Sequence, residues 1–256
     1  MLAILSPAKT LDYESALATR KYSLPDFAPE SNTLIKILRG YEPDQVSELM
    51  NISDKLALLN VERYHQWHDD FECEGARPAV LAFKGDVYIG LDAATLGERD
   101  FTFAQKHVRI LSGLHGLLKP LDRIHPYRLE MGTSLPNRHG KNLYDFWGAK
   151  VTEALNAAIA AQGDRYLINL ASNEYFKVVQ EADIDARVIH VNFKEWKDDK
   201  LKFLSFFAKK ARGTMTRYMI DKRVKTLRAL KAFDYDGYRF DANASTDNEW
   251  LFTRGG

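Results

Sequence analysis

Cysteine is nearly absent from this chain. Cys73 is the only one in 256 residues, which excludes an intrachain disulfide and any cysteine-rich zinc or iron–sulfur site. A reducing cytoplasm is then the simplest setting. No run approaches the roughly 18 apolar residues of a membrane helix, and the opening MLAILSPAKT has neither the basic region nor the long apolar region of a secretory signal. The glycines of a phosphate-binding P-loop are missing from the segment after the first strand. No internal repeat, low-complexity tract or Pro/Gly-rich linker divides the chain, so residues 1–256 are expected to form a single domain.

What is present suits a globular protein with a large core: 45% of the residues are hydrophobic and 28% charged. The net charge of +1 conceals an asymmetry. Residues 41–74 carry nine acids against two Lys/Arg, and residues 209–231 carry nine Lys/Arg against one acid. A concentrated basic segment in a nearly neutral protein fits local binding of a polyanion, and fits a solvated basic face equally well.

The stretch Leu111–Gly132, LSGLHGLLKPLDRIHPYRLEMG, is too punctuated for one helix and too apolar for a free loop. Gly113-Leu-His-Gly116 suits a tight turn. A helix starting after Gly116 would turn its free N–H groups toward a phosphate, while Leu111, Leu114, Leu117 and Leu118 seal the turn onto the core. This is the logic of a helix-hairpin-helix clamp over about residues 104–125, with Gly113, His115, Gly116, Lys119 and Arg123 at the DNA backbone. A plain structural turn fits the same residues, and a strand rather than a helix over Val108–Leu111 would weaken the clamp.

Local patterns assign the remaining elements. Leu2–Leu5 reads as a buried strand running into Ser6-Pro-Ala-Lys-Thr10, and residues 11–30 as irregular. Ser31–Gly40, capped by Ser31, Pro43–Met50 and Asp54–His68 read as helices, the last with Leu56, Leu58, Leu59 and Val61 toward the core. Val80–Phe83 and Val87–Gly90 read as strands around Lys84-Gly85-Asp86, and Asp92–Gly97 and Asp100–His107 as short helices. Asn142–Gln162 reads as one long helix, with Trp147, Val151, Leu155 and Ile159 at helical spacing and Gly163 as its stop. Tyr166–Leu170 is a buried strand before a short helix capped by Ser172 or Asn173. Val188–Phe193 starts a hairpin that turns at residues 197–200, with Leu201, Phe203 and Phe207 continuing its apolar face. Tyr238–Phe240 and Trp250–Thr253 are strand-like. Strands that are partly alternating and partly continuous predict a single α/β domain, a mixed sheet with surrounding helices.

A basic helix is predicted over about 208–223, with Phe207, Ala211, Met215, Tyr218 and Met219 on one side and Lys209, Lys210, Arg212 and Arg217 on the other. Gly213 sits among the cations. There it fits either close approach of a phosphate backbone or close contact with another helix. A second group, Lys9, Lys84, Asp86, Arg128, Glu130 and Glu174, offers anion holders, a nucleophile and acids for an enzyme on a nucleotide or nucleic acid, if the fold brings them together. Otherwise they are surface charges, Glu174 merely favouring the start of its helix. His65 and His68, i and i+3 on one helix beside Trp67, are read as packing. Iron binding by the seven histidines and many carboxylates lacks a compact ligand set, so no metal and no cofactor is expected.

Six strings span nearly the whole chain: Ser6-Pro-Ala-Lys-Thr10, Ser53-Asp-Lys-Leu-Ala57, Phe83-Lys-Gly-Asp-Val-Tyr88, Leu111–Gly132, Asn169-Leu-Ala-Ser172 with Glu174-Tyr-Phe176, and Lys209-Lys-Ala-Arg-Gly213. In these the sequence resembles the YaaA peroxide stress protein family, with His115 where a tyrosine is expected. The resemblance implies a cytosolic protein of the hydrogen peroxide response that limits damage from unincorporated iron. It also implies a family-specific fold with a helix-hairpin-helix-like element in a positive cleft, and binding to duplex and branched or unpaired DNA with a role in its protection or repair.

Overall fold

Leu2–Leu5 is four apolar residues in succession, and all four are buried. A strand apolar on both faces belongs in the interior of a covered sheet. The computed structural model, which describes residues 1–163, 165–198 and 200–255, places it there. The eight-stranded sheet is built, in chain order, from β1 (Leu2–Leu5), β2 (Val108–Ser112), β3 (Gly116–Leu118), β4 (Tyr166–Asn169), β5 (Arg187–Lys197), β6 (Lys200–Lys202), β7 (Arg239–Phe240) and β8 (Glu249–Arg254). Their spatial order is β7-β8-β5-β4-β1-β2-β3, with β6 paired to β5. β8, β5, β4, β1 and β2 run parallel, and β3, β6 and β7 join antiparallel. The expected mixed α/β sheet is therefore present. Asp199, in the expected turn between β5 and β6, and Gly256 at the end of the C-terminal segment lie outside the described residues.

The helices are α1 (Ala28–Leu38), α2 (Pro43–Met50), α3 (Asp54–Gln66), α4 (Asp86–Leu91), α5 (Glu98–His107), α6 (Leu143–Trp147), α7 (Lys150–Ala160), α8 (Ser205–Asp221) and α9 (Leu227–Lys231), with shorter helical turns between. Several differ from expectation. α1 begins a turn early, with Pro29 in its first turn, so Ser31 is inside the helix and buried. Its hydroxyl bonds the carbonyls of Phe27 and Leu114 and meets His115 Nδ1 at 3.0 Å. On α3 the inward stripe is Ala57, Asn60 and Tyr64. The leucines at 56, 58 and 59 flank that stripe and are exposed. Val80–Phe83 and Val87–Gly90 are not strands. They form a helical turn (Ala79–Ala82) and α4, leaving only Phe83–Lys84 extended, paired with Thr10–Leu11. A short apolar run does not distinguish strand from helix. The long helix expected over Asn142–Gln162 breaks at Gly148 (φ 48°) into α6 and α7, while Trp147, Val151, Leu155 and Ile159 are buried as expected. Phe203 and Phe207 are exposed, because β6 stops at Lys202 and Phe207 already belongs to α8.

The Leu111–Gly132 stretch holds the largest correction. α5 ends at His107, β2 follows, and residues 113–115 turn directly into β3, with Ser112 opposite Gly116. Among the described residues no helix follows Gly116, because the ladder to β2 takes up β3 and leaves no helix N-terminus there. The turn is enclosed. Trp147 Nε1 donates to the Gly113 carbonyl at 3.0 Å, and Gly116 (φ 64°) lies so close under the Trp147 ring that a Cβ would sit 2.7 Å from it. Leu111, Leu114, Leu117 and Leu118 are all buried, as the plain structural turn requires. His115 is 0% exposed and presents nothing to a phosphate.

α8 is buried almost all round, since α4 and α5 pack on it in addition to β5. Gly213 faces α4: a Cβ there would lie 1.7 Å from the Val87 carbonyl oxygen. Gly90 faces back, where a Cβ would lie 2.1 Å from the Lys210 carbonyl oxygen. The glycine thus serves close helix contact, and no nucleic-acid backbone reaches it.

Gly213→Ala is expected to destabilise the protein by about 3 kcal/mol or more, since overpacking against backbone cannot relax through a side-chain rotamer. Urea denaturation with an unchanged midpoint would contradict the contact. A second outcome concerns acid. Burial pushes His115 down to about 3 from its ordinary 6.5. The unfolded chain therefore takes up the proton first, and stability falls as pH drops from 6.5 toward 3, by about 1.4 kcal/mol per unit. His115→Gln should remove about 2 kcal/mol of the loss seen between pH 6.5 and 5, read from denaturation midpoints. Parallel pH profiles would show that His115 is not the group responsible.

Candidate anion site at the ends of the parallel strands

In a parallel sheet the crevice beyond the carboxyl ends of the strands opens where the chain order switches sides. Here β2 lies on one side of β1 and β4 on the other. The segments leaving β1 and β4 meet at that switch. Ser6 Oγ accepts from the Ser172 N–H at 2.9 Å and lies 3.3 Å from Ser172 Oγ, and Tyr88 OH donates to the Ser6 carbonyl at 3.1 Å. Burial raises Tyr88 and Tyr175 well above the ordinary phenol range, with neighbouring Tyr127 adding to both, so both stay neutral.

Over this junction lies a cavity of about 460 Å³, within the size range of small-molecule sites. Its walls come from the segment after β1 (Lys9), the residues leading into α4 (Lys84, Asp86), the segment after β4 (Ser172, Glu174) and one face of α8 (Lys209, Arg212). Four cations and two acids thus line one space. Glu130 stands behind Lys9, its carboxylate 2.6 Å from Lys9 Nζ and, through the other oxygen, 2.9 Å from Arg128 Nη2. Glu174 Oε1 accepts from the Gly132 N–H at 3.1 Å. Lys84 pairs with Asp12 at 3.6 Å. Arg212 is mostly enclosed and its Nε is buried with no hydrogen-bond partner. Desolvation lowers its pKa, yet a guanidinium remains charged at neutral pH. A buried cationic donor without an acceptor is costly unless an anion supplies one.

The fold therefore gathers Lys9, Lys84, Asp86 and Glu174 in the cavity, with Glu130 and Arg128 linked behind Lys9. It adds Lys209 and Arg212, which periodicity alone assigns to a separate basic face. The other cations of that face are engaged in bracing. Lys210 pairs with Asp236 at 3.0 Å. Arg217 pairs with Asp221 at 2.8 Å and donates to the Asp92 carbonyl and the Thr95 hydroxyl. Lys119 holds Asp26 at 2.7 Å, and Arg123 holds the carbonyls of Glu72 and Ala76. Ser6, Tyr88 and Ser172 are cavity residues that the sequence reading did not single out, although the hydroxyls beside Lys9 were visible just past a strand end. Away from this site, His68 approaches Cys73 and His125, the one group of three His, Cys, Asp or Glu ligands at metal-holding separation among the described residues. No described helix is long and apolar enough to cross a membrane.

A family model described as "Peroxide stress protein YaaA" matches residues 1–244.

Proposed function

From the premise that the chain belongs to the peroxide stress protein YaaA family, we propose that it binds DNA in the peroxide response, the cavity at the ends of β1 and β4 receiving an unpaired nucleotide. The observation that carries this reading is the convergence of Lys9, Lys84, Lys209 and Arg212 on one cavity, Arg212 with a buried donor lacking an acceptor. A phosphate in the cavity meets the Arg212 guanidinium and Lys209, with Lys9 and Lys84 turning to it from Glu130 and Asp12. The cavity has room for one nucleotide and none for a duplex, so bulged, branched or flipped-out positions are the preferred partners. Contacts are mainly to phosphate, making binding salt-dependent and weakly sequence-specific. Gly113, His115 and Gly116 lie inside the hairpin and are not part of this surface. Lys119, Arg123, Lys210, Gly213 and Arg217 are likewise engaged within the protein. Limiting oxidative and iron-dependent damage to DNA is the role this binding serves.

One observation favours a second reading, an enzyme acting on a nucleotide or nucleic acid. Asp86 and Glu174 share the cavity with its lysines, and a carboxylate beside a bound phosphate or sugar can accept a proton from an attacking group. Lys9 is ill placed as a nucleophile, because its Nζ is engaged by the Glu130 carboxylate at 2.6 Å.

Fluorescence anisotropy across a salt series, on duplex and on bulged or single-stranded oligonucleotides, tests the binding reading. The wild type is expected to favour the unpaired forms. Lys84→Ala with Lys209→Ala should weaken binding and reduce the single-strand salt slope by about 1.4, two phosphate contacts' worth, while Lys119→Ala leaves the slope unchanged. A double variant with the wild-type slope would remove the cavity from the DNA site. Cleaved or base-released product that Glu174→Gln abolishes would establish the enzyme instead.

A further inference from the structure

The segment joining α3 to the two-residue strand Arg77–Pro78 carries His68 and Cys73, and His125 meets them from just after the short strand Arg123–Ile124; the anion site uses none of the three. We propose that His68, Cys73 and His125 form a binding site for a borderline-soft d-block dication of the zinc class. One ligand atom from each lies within 4.8 Å of the other two, with Cys73 Sγ 3.9 Å from His68 Nε2. In a tetrahedral zinc site with metal–sulfur and metal–nitrogen bonds of about 2.3 and 2.0 Å, ligand atoms stand roughly 3.3–3.6 Å apart. The cluster thus needs only a small closure, and exposed His68 is free to make it. The Asp70 carbonyl oxygen accepts from both His125 Nε2 at 3.0 Å and Cys73 Sγ at 3.2 Å; a bound ion takes the place of those two protons, His125 carrying its own on Nδ1 instead, and the carbonyl or solvent completes four-coordination.

The surroundings fix the ligands rather than leaving them to meet by chance. His125 is buried, stacked on Phe71 with centroids 5.4 Å apart and edge-on to Trp67 at 6.3 Å. The segment itself is tied down at several points. Arg39 donates to the Trp67 carbonyl, Asn32 to Asp69, and Arg123 to the carbonyls of Glu72 and Ala76. Packing that locks ligand rotamers lowers the ordering cost of binding. Thiolate with imidazole selects zinc, cobalt and their neighbours over magnesium or calcium. Binding converts the Cys73 thiol to thiolate, releasing one proton to solvent, so affinity rises with pH. A bound ion would pin the segment after α3 to the chain just beyond the short strand Arg123–Ile124.

Titration of tag-free protein with Co²⁺, followed by absorption spectroscopy, tests the site. One equivalent is expected to give intense tetrahedral ligand-field bands and a thiolate-to-cobalt charge-transfer band, both lost on adding Zn²⁺. Cys73→Ser should abolish the charge-transfer band. His68→Ala should weaken binding at least tenfold, and His65→Ala should leave it unchanged. Neither His68 nor Cys73 is a core residue, and circular dichroism confirms that the variants fold. Absence of a charge-transfer band at saturating Co²⁺ overturns the proposal, as does binding that survives His68→Ala undiminished.

Discussion

The cavity exists because two helices approach until backbone meets backbone. α8 brings Lys209 and Arg212 over the strand ends only by lying directly on α4, and the contact is possible because Gly213 and Gly90 face each other where any Cβ would collide with a carbonyl. The same approach sets α4 in place, and with it Lys84 and Asp86 at the rim. Glycine within a helix costs about 1 kcal/mol relative to alanine. Here that cost is offset by burial of Val87, Leu91 and Thr214 where the two helices meet. The geometry of the charged groups is thus inherited from the packing of uncharged ones.

The basic run from Lys209 to Lys231 has less to do with a partner than its density suggests. Lys210, Arg217 and Arg223 are paired with Asp236, Asp221 and Asp100, and Lys231 lies over the rings of Phe240 and Trp250 at 4.6 and 4.8 Å. Exposed pairs of this kind contribute little stability each, about 0–1 kcal/mol. Their effect is to join α8 to its neighbours and to leave Lys209 and Arg212 as the members of the run that line the cavity.

Features with a local physical signature were legible in the sequence. The apolar run of β1, the proline-led α2, the buried stripe of α7 and the hairpin beginning at β5 each follow from neighbouring residues alone. Lys9, Lys84, Asp86 and Glu174 were identifiable for the same reason, as charges placed just past strand ends or at element starts. Features that depend on a partner were not legible. Leu111–Leu118 has spacing that suits helix or strand, and only Trp147 closing over Gly116 decides between them. Gly213 reads as part of a polar face until α4 is known to cover it. His125 joins His68 and Cys73 only through the fold, which is why histidine spacing alone directs attention to His65 instead.

The Ser6–Ser172 contact joins residues separated by 166 positions, and β1 finds its strand partners only at Val108–Ile110 and Leu167–Asn169. Loops of that length must close before any pairing energy is returned, which slows folding. During synthesis, therefore, the apolar β1 must wait, exposed or in a chaperone's care, until residue 110 for its first partner strand and until residue 169 for its second. The anion cavity is assembled only when that wait ends. Its binding capacity consequently reports the completion of folding: a chain arrested with β4 still undocked would keep its lysines and have no place for them to meet.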